Sequence, residues 1–201
     1  MKLGYRELRA VMQSKGYRFF DRGAFNLNLF GIRSGSKLVN EFNDWMGVAY
    51  RDEWGNERLL LFSATTKPGL YYLKHRLGNA QGTAILVPGQ YRSVWKLGKH
   101  KGYKALQQQK YGLFRVWRDT DHDAQFDYQG KVYRNVRGLN GHTSSFKNDI
   151  DKVNRYSAGC QVIQDDLDFK ILMAIVEKSL NYWGNSFTYT LLEEGDFGGK
   201  R

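Results

Sequence analysis

The stretch DFKILMAIVEKSLNYWGNSFTYTLL, residues 168–192, decides the fold because two hydrophobic periods follow each other in it. From 168 to 180 the apolar residues form one stripe at helical spacing, and an aspartate just before it can cap a helix. From 187 to 192, aromatic and leucine residues alternate with threonine, which predicts a strand with two different faces. The members of the helical stripe are Ile171, Leu172, Ile175 and Val176, and the candidate caps are Asp165, Asp166 and Asp168.

Short apolar or aromatic runs like residues 187–192 recur earlier in the chain, separated by glycine turns. They cover residues 46–50, 59–64, 82–87, 112–117 and 131–136. A short amphipathic helix is predicted at Tyr5–Ser14, because its apolar residues share one face. Six or more strands with few helices predict a mostly-β fold, a β-sandwich or a barrel-like sheet, with a helix near 168–180.

The length of 201 residues is that of one ordinary domain, and we expect a monomer. Residues 1–45 are predicted to be a helical and extended segment packed on the domain. Residues 46–201 are predicted to form the single globular unit. No apolar run approaches the roughly 18–20 residues of a membrane-spanning helix, so no transmembrane segment is expected.

The positive charge is concentrated in one part of the chain. Against 31 Lys and Arg there are 20 Asp and Glu, and the net charge is +11. Between Arg58 and Arg118 there is no acidic residue and there are twelve basic ones, and we call this segment the acid-free stretch. Such a stretch indicates an anionic partner: nucleic acid, a membrane surface or a cell-wall polymer.

Several classes of protein are excluded by what the chain lacks. The single cysteine, Cys160, excludes an intramolecular disulfide, a cysteine-rich zinc site and an iron–sulfur cluster. No phosphate loop, dinucleotide fingerprint or HExxH motif is present, and we expect no cofactor. The first twenty residues carry charges throughout and no apolar core of a signal peptide, so we expect synthesis in the cytoplasm without a secretory signal.

One acidic segment resembles the start of a calcium loop. Its alternating carboxylates belong to Asp119, Asp121, Asp123 and Asp127. The glycine of the sixth loop position is replaced by Ala124, and Gly130 stands where the bidentate glutamate would be. A solvated acidic turn is the commoner interpretation, and binding of a divalent ion is the alternative.

The candidate for catalysis is Cys160. Taken alone, a single cysteine is most often a small buried hydrophobe. Here it follows Ser157-x-Gly159, whose small residues allow a substrate to approach the backbone. His142, eighteen residues earlier, has the chemistry to lower the pKa of the thiol and act as a general base.

This pattern resembles the His…Ser-x-Gly-Cys signature of the L,D-transpeptidase (YkuD-type) catalytic domain. Residues 64–69, 82–91 and 157–162 are similar to a phage-associated branch of that family, and the resemblance covers about 46–192. It implies that Cys160 is the nucleophile and His142 its base, with a backbone carbonyl near Gly141 or Thr143 orienting the imidazole. Val162 stands where the family usually has an arginine, and Thr143 where glycine is usual.

The resemblance implies roles for other residues as well. Ser157 would shape the turn before the nucleophile, and Gly159 and Cys160 would donate backbone N–H groups to an oxyanion. The residues expected to contact substrate are Asn140, Gly141, Thr143, Tyr156, His100 and Tyr91.

The expected function is that of an endolysin-like hydrolase of bacterial peptidoglycan. It would cleave a stem or cross-bridge peptide bond through a thioester. It would act at the wall after the membrane is permeabilised, or from a virion. The alternatives are an L,D-transpeptidase proper, a nucleic-acid-binding module built on the acid-free stretch, or an inactive wall-binding protein. Peptidoglycan is the expected partner, and nucleic acid is not.

Overall fold

The computed structural model describes residues 2–75, 81–144 and 150–198. Over these ranges the chain forms eleven strands and three α-helices. The strands are β1 (Asn28–Arg33), β2 (Asp44–Arg51), β3 (Glu57–Thr65), β4 (Thr83–Leu86), β5 (Gly89–His100), β6 (Tyr103–Gln108), β7 (Phe114–Asp119), β8 (Tyr133–Val136), β9 (Gly141–Thr143), β10 (Gln161–Ile163) and β11 (Phe187–Glu193). The helices are α1 (Tyr5–Ser14), α2 (Leu70–Lys74) and α3 (Asp166–Trp183), and a 3₁₀ helix (Glu194–Phe197) follows β11.

Eight strands close into a barrel in the order β1-β11-β5-β6-β9-β10-β3-β2. Most neighbours are antiparallel, but β1 pairs in parallel with β11, and β9 with β10. The other three strands form a separate antiparallel sheet in the order β4-β7-β8. The predicted mostly-β fold with an N-terminal helix and a helix near 168–180 is confirmed.

The elements with a clear period lie where the sequence predicted them. The bounds of α1 are those predicted, and α3 extends the predicted helix by a few residues at each end. Asp165 is the cap of α3, because its side chain accepts from the backbone N–H groups of Leu167 and Asp168. All six predicted strands are present, as β2, β3, β4, β7, β8 and β11.

The N-terminal segment is part of the barrel. β1 lies between β11 and β2, and all six of its residues are buried. The predicted boundary between residues 45 and 46 falls inside β2. Residues from both predicted parts, 1–45 and 46–201, therefore build one closed sheet.

The core fills the barrel and continues beneath α3. Trp95 of β5 and Tyr189 of β11 are fully buried, and their rings lie 4.3 Å apart. Phe169, Leu172 and Val176 of α3 belong to the same cluster. None of the helices in the described ranges has the length and apolar character needed to cross a membrane.

Candidate active site

Two short parallel strands bring the cysteine and the histidine together. In the β9–β10 pair, Gln161 lies opposite Gly141 and Val162 lies opposite His142. Cys160, one residue before β10, is therefore level with Asn140. Side chains alternate along a strand, so Asn140 and His142 share a face with Cys160. The thiol and the imidazole are diagonal neighbours on that face.

The imidazole of His142 is held by one hydrogen bond. Its Nδ1 lies 2.7 Å from the backbone oxygen of Thr143, one of the two carbonyl positions that the resemblance implied. A carbonyl only accepts, so Nδ1 carries the proton and the lone pair of the neutral ring is on Nε2. Nε2 is buried and has no hydrogen-bond partner. His142 thus has the arrangement of an oriented base with a free acceptor.

A second histidine stacks on the first. The rings of His100 and His142 are 4.7 Å apart and inclined by 18°. The side-chain amide of Asn140 donates to Nδ1 of His100 at 3.0 Å, and its oxygen accepts from the backbone N–H of Gln108 at 2.8 Å. Tyr103 contacts both imidazoles edge-on. Asn140 and His100, two of the predicted substrate contacts, are therefore at the site.

Sequence reasoning missed Tyr103, although a signal for it was present. Lys101 and Gly102 both have positive φ and form the two-residue turn between β5 and β6. A residue followed by glycine between two strands is a common hairpin turn, and such a turn pairs the residues on either side of it. Here those residues are His100 and Tyr103.

Burial keeps both His142 and Cys160 in their neutral forms. The pKa of His142 is lowered to about 4, chiefly by burial; the hydrogen bond to Thr143 raises it, and His100 and Lys101 contribute to lowering it. Burial also raises the pKa of the Cys160 thiol, opposed by the Asn140 backbone N–H and by Lys101. At neutral pH the resting site therefore holds a thiol and a neutral imidazole, not an ion pair.

The thiol is bonded to the backbone in this state. Its sulfur accepts from the N–H of Asn140 at 3.5 Å, and its proton points to the carbonyl of Gly138 at 3.6 Å. Since Nε2 of His142 has no partner, the thiol proton is not shared with the base here. Proton transfer then requires the sulfur to leave the Gly138 carbonyl, and catalytic hydrogen bonds commonly tighten only when substrate binds.

The turn before the nucleophile is built around Ser157. Its hydroxyl donates to the Cys160 carbonyl at 2.8 Å and accepts from the Gly159 N–H at 3.1 Å. Gly159 has φ +118°, and a Cβ there would lie 2.7 Å from the Ala84 carbonyl oxygen. The expected oxyanion role of Gly159 is corrected, because Ser157 already takes its N–H. The Cys160 N–H is the remaining candidate donor.

A basic cleft of about 380 Å³ opens beside Cys160. Gly138 and Asn140, which both contact the sulfur, are in its wall. None of its lining residues is acidic, and its cations are Lys99, Lys101, Lys110 and Arg137. This arrangement suits a polar ligand with negative charge.

Four of the six predicted substrate contacts, Tyr91, Tyr156, Gly141 and Thr143, do not line the cleft. Tyr91 is 4% exposed, belongs to the core cluster and bonds its hydroxyl to the Val87 carbonyl, which corrects its assignment as a substrate residue. Tyr91 is an aromatic residue at strand spacing, and such residues commonly pack in the core, as this one does. Tyr156 lies in the preceding turn, where its N–H bonds to the Val153 carbonyl. Gly141 pairs with Gln161 and Leu106, within the sheet.

The acidic loop, which we define as residues 119–127, lies at the end of β7. Carboxylate oxygens of Asp119, Asp121 and Asp127 lie within 4.8 Å of one another. Asp123 is not in this group, and its carboxylate accepts from Gln125. Burial, together with the neighbouring carboxylates, raises the pKa of Asp119 to about 7.

The acid-free stretch is partly neutralised by residues outside it. Three of its cations form ion pairs: Arg58 with Asp52, Lys67 with Asp44 and Lys104 with Glu177. Three others line the basic cleft, namely Lys99, Lys101 and Lys110. Arg76, another of the twelve, lies outside the described residues, as does Ser145 of the His142 segment.

Comparisons with protein-family models, with curated proteins and with solved structures found no match. The resemblance to L,D-transpeptidases therefore rests on the residues of this chain, above all His142 and the segment 157–160.

Proposed function

We propose that this protein is a cysteine-dependent peptidase that acts on bacterial peptidoglycan. One observation carries the proposal: a buried thiol and an imidazole with a carbonyl-bound Nδ1 and a free Nε2 share one face of adjacent strands. This is the arrangement of an activated nucleophile, in which the base is itself oriented by a third group. The Thr143 carbonyl is that third group.

The proposed reaction has two stages. In the first, Nε2 of His142 takes the thiol proton as the Cys160 sulfur attacks the carbonyl carbon of a peptide bond. The Cys160 N–H then faces the oxyanion. The C–N bond breaks, the imidazolium gives its proton to the departing amine, and a thioester remains. In the second stage, water loses a proton to Nε2 and attacks the thioester, which releases the acid and restores the thiol.

The substrate class is supported by the basic cleft and by the resemblance. Wall peptides carry free carboxylates, and the cleft beside Cys160 has four cations and no acidic lining residue. Hydrolysis is favoured over cross-linking by Val162, which stands where the family usually has an arginine that could contact an anionic donor. The enzyme would act as a monomer at the wall once the membrane is open, or from a virion.

The experiment is mass spectrometry of the fragments released from purified sacculi. Wild type should release peptide fragments, and Cys160→Ala should lower the release by about 10³-fold or more. His75→Gln is the matched histidine control, because this residue lies outside the site. Near-ultraviolet circular dichroism should show that all variants are folded. Release by Cys160→Ala at the wild-type rate contradicts the thiol mechanism, and new cross-linked dimers in place of fragments would indicate a transpeptidase.

Nucleic-acid binding is the second candidate, and one observation favours it. Tyr111 is 82% exposed and lies next to Lys110, at the edge of the basic cleft, where a base could stack. Against it, Trp95 and Tyr91 of the same stretch are buried in the core. A DNA mobility shift that weakens steeply with added salt would support this candidate, and no shift at low salt would remove it.

A further inference from the structure

The acidic loop holds three carboxylates in the arrangement of a cation site. Asp119 ends β7, and Asp121 and Asp127 come from the loop that follows. One oxygen of each lies within 4.8 Å of the others, the separation expected of ligands on a single ion. Proximity of acidic groups alone is common on protein surfaces, so a second observation is needed.

The second observation is that the carboxylate of Asp119 is buried and has no hydrogen-bond partner. The residue is 0% exposed, and neither of its carboxylate oxygens has a hydrogen-bond partner. Among the described residues, the His122 backbone N–H is the one group that lowers the pKa of Asp119, and its approach does not meet the geometry of a hydrogen bond to either oxygen. A buried carboxylate without a partner is costly, and native proteins pair such groups or bind them to metals.

No cationic side chain in the described part of the chain is paired with these carboxylates. In the described ranges, no Lys, Arg or His forms an ion pair with Asp119, Asp121 or Asp127. The neighbouring Arg118 turns away and donates to the Gly82 carbonyl. The cluster therefore concentrates negative charge around a buried carboxylate and lacks a positive partner among the residues that the structure describes.

We propose that Asp119, Asp121 and Asp127 bind a hard divalent cation, Ca²⁺. Three carboxylates without nitrogen or sulfur ligands are the donor set that Ca²⁺ prefers, and its flexible coordination accepts water and backbone oxygens for the remaining positions. Mg²⁺ demands a near-ideal octahedron and suits a flexible loop less well.

The site would fix the loop to the barrel. Phe126 and Tyr128 flank Asp127, and Lys67 and Arg33 of the barrel region lie over their rings at 5.6 and 5.4 Å. A cation joining the end of β7 to Asp127 would hold these two aromatic rings in place. The proposal is independent of the function of Cys160, and its readouts need no substrate.

The first experiment is thermal unfolding of the full chain at pH 7.5 with EDTA, Ca²⁺ or Mg²⁺. Millimolar Ca²⁺ should raise Tm by about 5 °C or more relative to EDTA, as mass action predicts for a site with a Kd near 10 μM. Asp121→Asn, an exposed substitution, should remove this shift, and the exposed control Asp151→Asn should keep it. An equal shift in Asp121→Asn, or no shift in wild type, would overturn the site. Equal shifts with Mg²⁺ would overturn the preference for Ca²⁺.

The second experiment is terbium luminescence, which reads the site directly. Tb³⁺ accepts the same oxygen ligands, and Trp117 lies two residues before Asp119, with its ring 6.1 Å from that of Tyr128. Excitation of these rings should give terbium emission that saturates at one ion per chain and is displaced by Ca²⁺. Asp127→Asn should weaken the binding at least tenfold. Emission that is absent, or unchanged by this substitution, would contradict the proposal.

Discussion

The basic cleft and the acidic loop each place an ionisable group out of contact with water, but they surround it differently. Around Cys160, a backbone N–H and Lys101 favour the thiolate, and His142 presents a free lone pair nearby. Around Asp119, the nearby side chains are further carboxylates. Burial favours the neutral form of both groups. The neighbours then decide whether a site is suited to move a proton or to attract a cation.

The largest expected effect is the loss of the base. His142→Ala should lower kcat/KM by about 10³-fold, because general base catalysis contributes 10²–10⁴-fold and the two backbone groups bonded to the thiol cannot take its proton. The rate of release of wall fragments measures it, with His75→Gln as the control. A rate within tenfold of wild type would remove the contrast between the two regions, since the oriented imidazole beside Cys160 would then be unused.

The second prediction concerns stability against pH. The pKa of His142 is about 4 in the folded protein and 6.5 when unfolded, so the unfolded chain binds the proton first. The contribution of this group to stability is therefore lost as the pH falls from about 6.5 to about 4. The loss is about 3 kcal/mol in the free energy of unfolding.

Urea unfolding at several pH values measures that loss. His142→Gln, which cannot titrate, should show a shallower decline than wild type over this range, and His75→Gln should decline as wild type does. Identical declines in wild type and His142→Gln would show that burial of this imidazole has no energetic consequence.

The third prediction compares two residues with positive φ, one in each region. Gly159→Ala should destabilise the fold by about 2 kcal/mol, because a Cβ at φ +118° would meet the Ala84 carbonyl. Ala124 already carries a Cβ at φ +68° in the acidic loop. Ala124→Gly should stabilise by about 0.5 kcal/mol, since relief of strain exceeds the added chain entropy. Chemical denaturation measures both, and opposite signs are the expected outcome.

The smallest expected effect concerns Lys101. Its charge lowers the pKa of both His142 and Cys160, so Lys101→Met should move both limbs of the pH–rate profile to higher pH. Lys110→Met is the matched control, because Lys110 lines the same cleft without acting on either pKa. An equal shift of the pH–rate profile in both variants would mean that the two pKa values depend on the overall positive charge of the cleft and not on Lys101 in particular.

The sequence predicts those helices and strands whose apolar residues recur at a regular spacing. The helical stripe of α3 and the alternation of β11 are local patterns, and both elements lie where they were expected. β1 is buried at every position, so it has no alternation to detect. β9 and β10 have three residues each, too few to show a period, and their pairing is a tertiary contact.

The same limit applies to the candidate site. Spacing and residue type suggest Cys160 and His142, but nothing local shows that His100 stacks on His142, because these residues are brought together by pairing of β6 with β9. The acid-free stretch also contributes to the electrostatics of the candidate site. Lys101 belongs to the acid-free stretch and acts on the pKa of both reactive groups.

The parallel pairing of β1 with β11 has a consequence for synthesis on the ribosome. Leu29 and Tyr189 are paired, so the barrel cannot close until nearly all of the described chain has been made. Until then β1 and β5 each present an open edge, which is a template for aggregation. Contacts between such distant residues also slow folding. The nascent chain therefore exposes the Cys160 thiol before it has a closed fold around it.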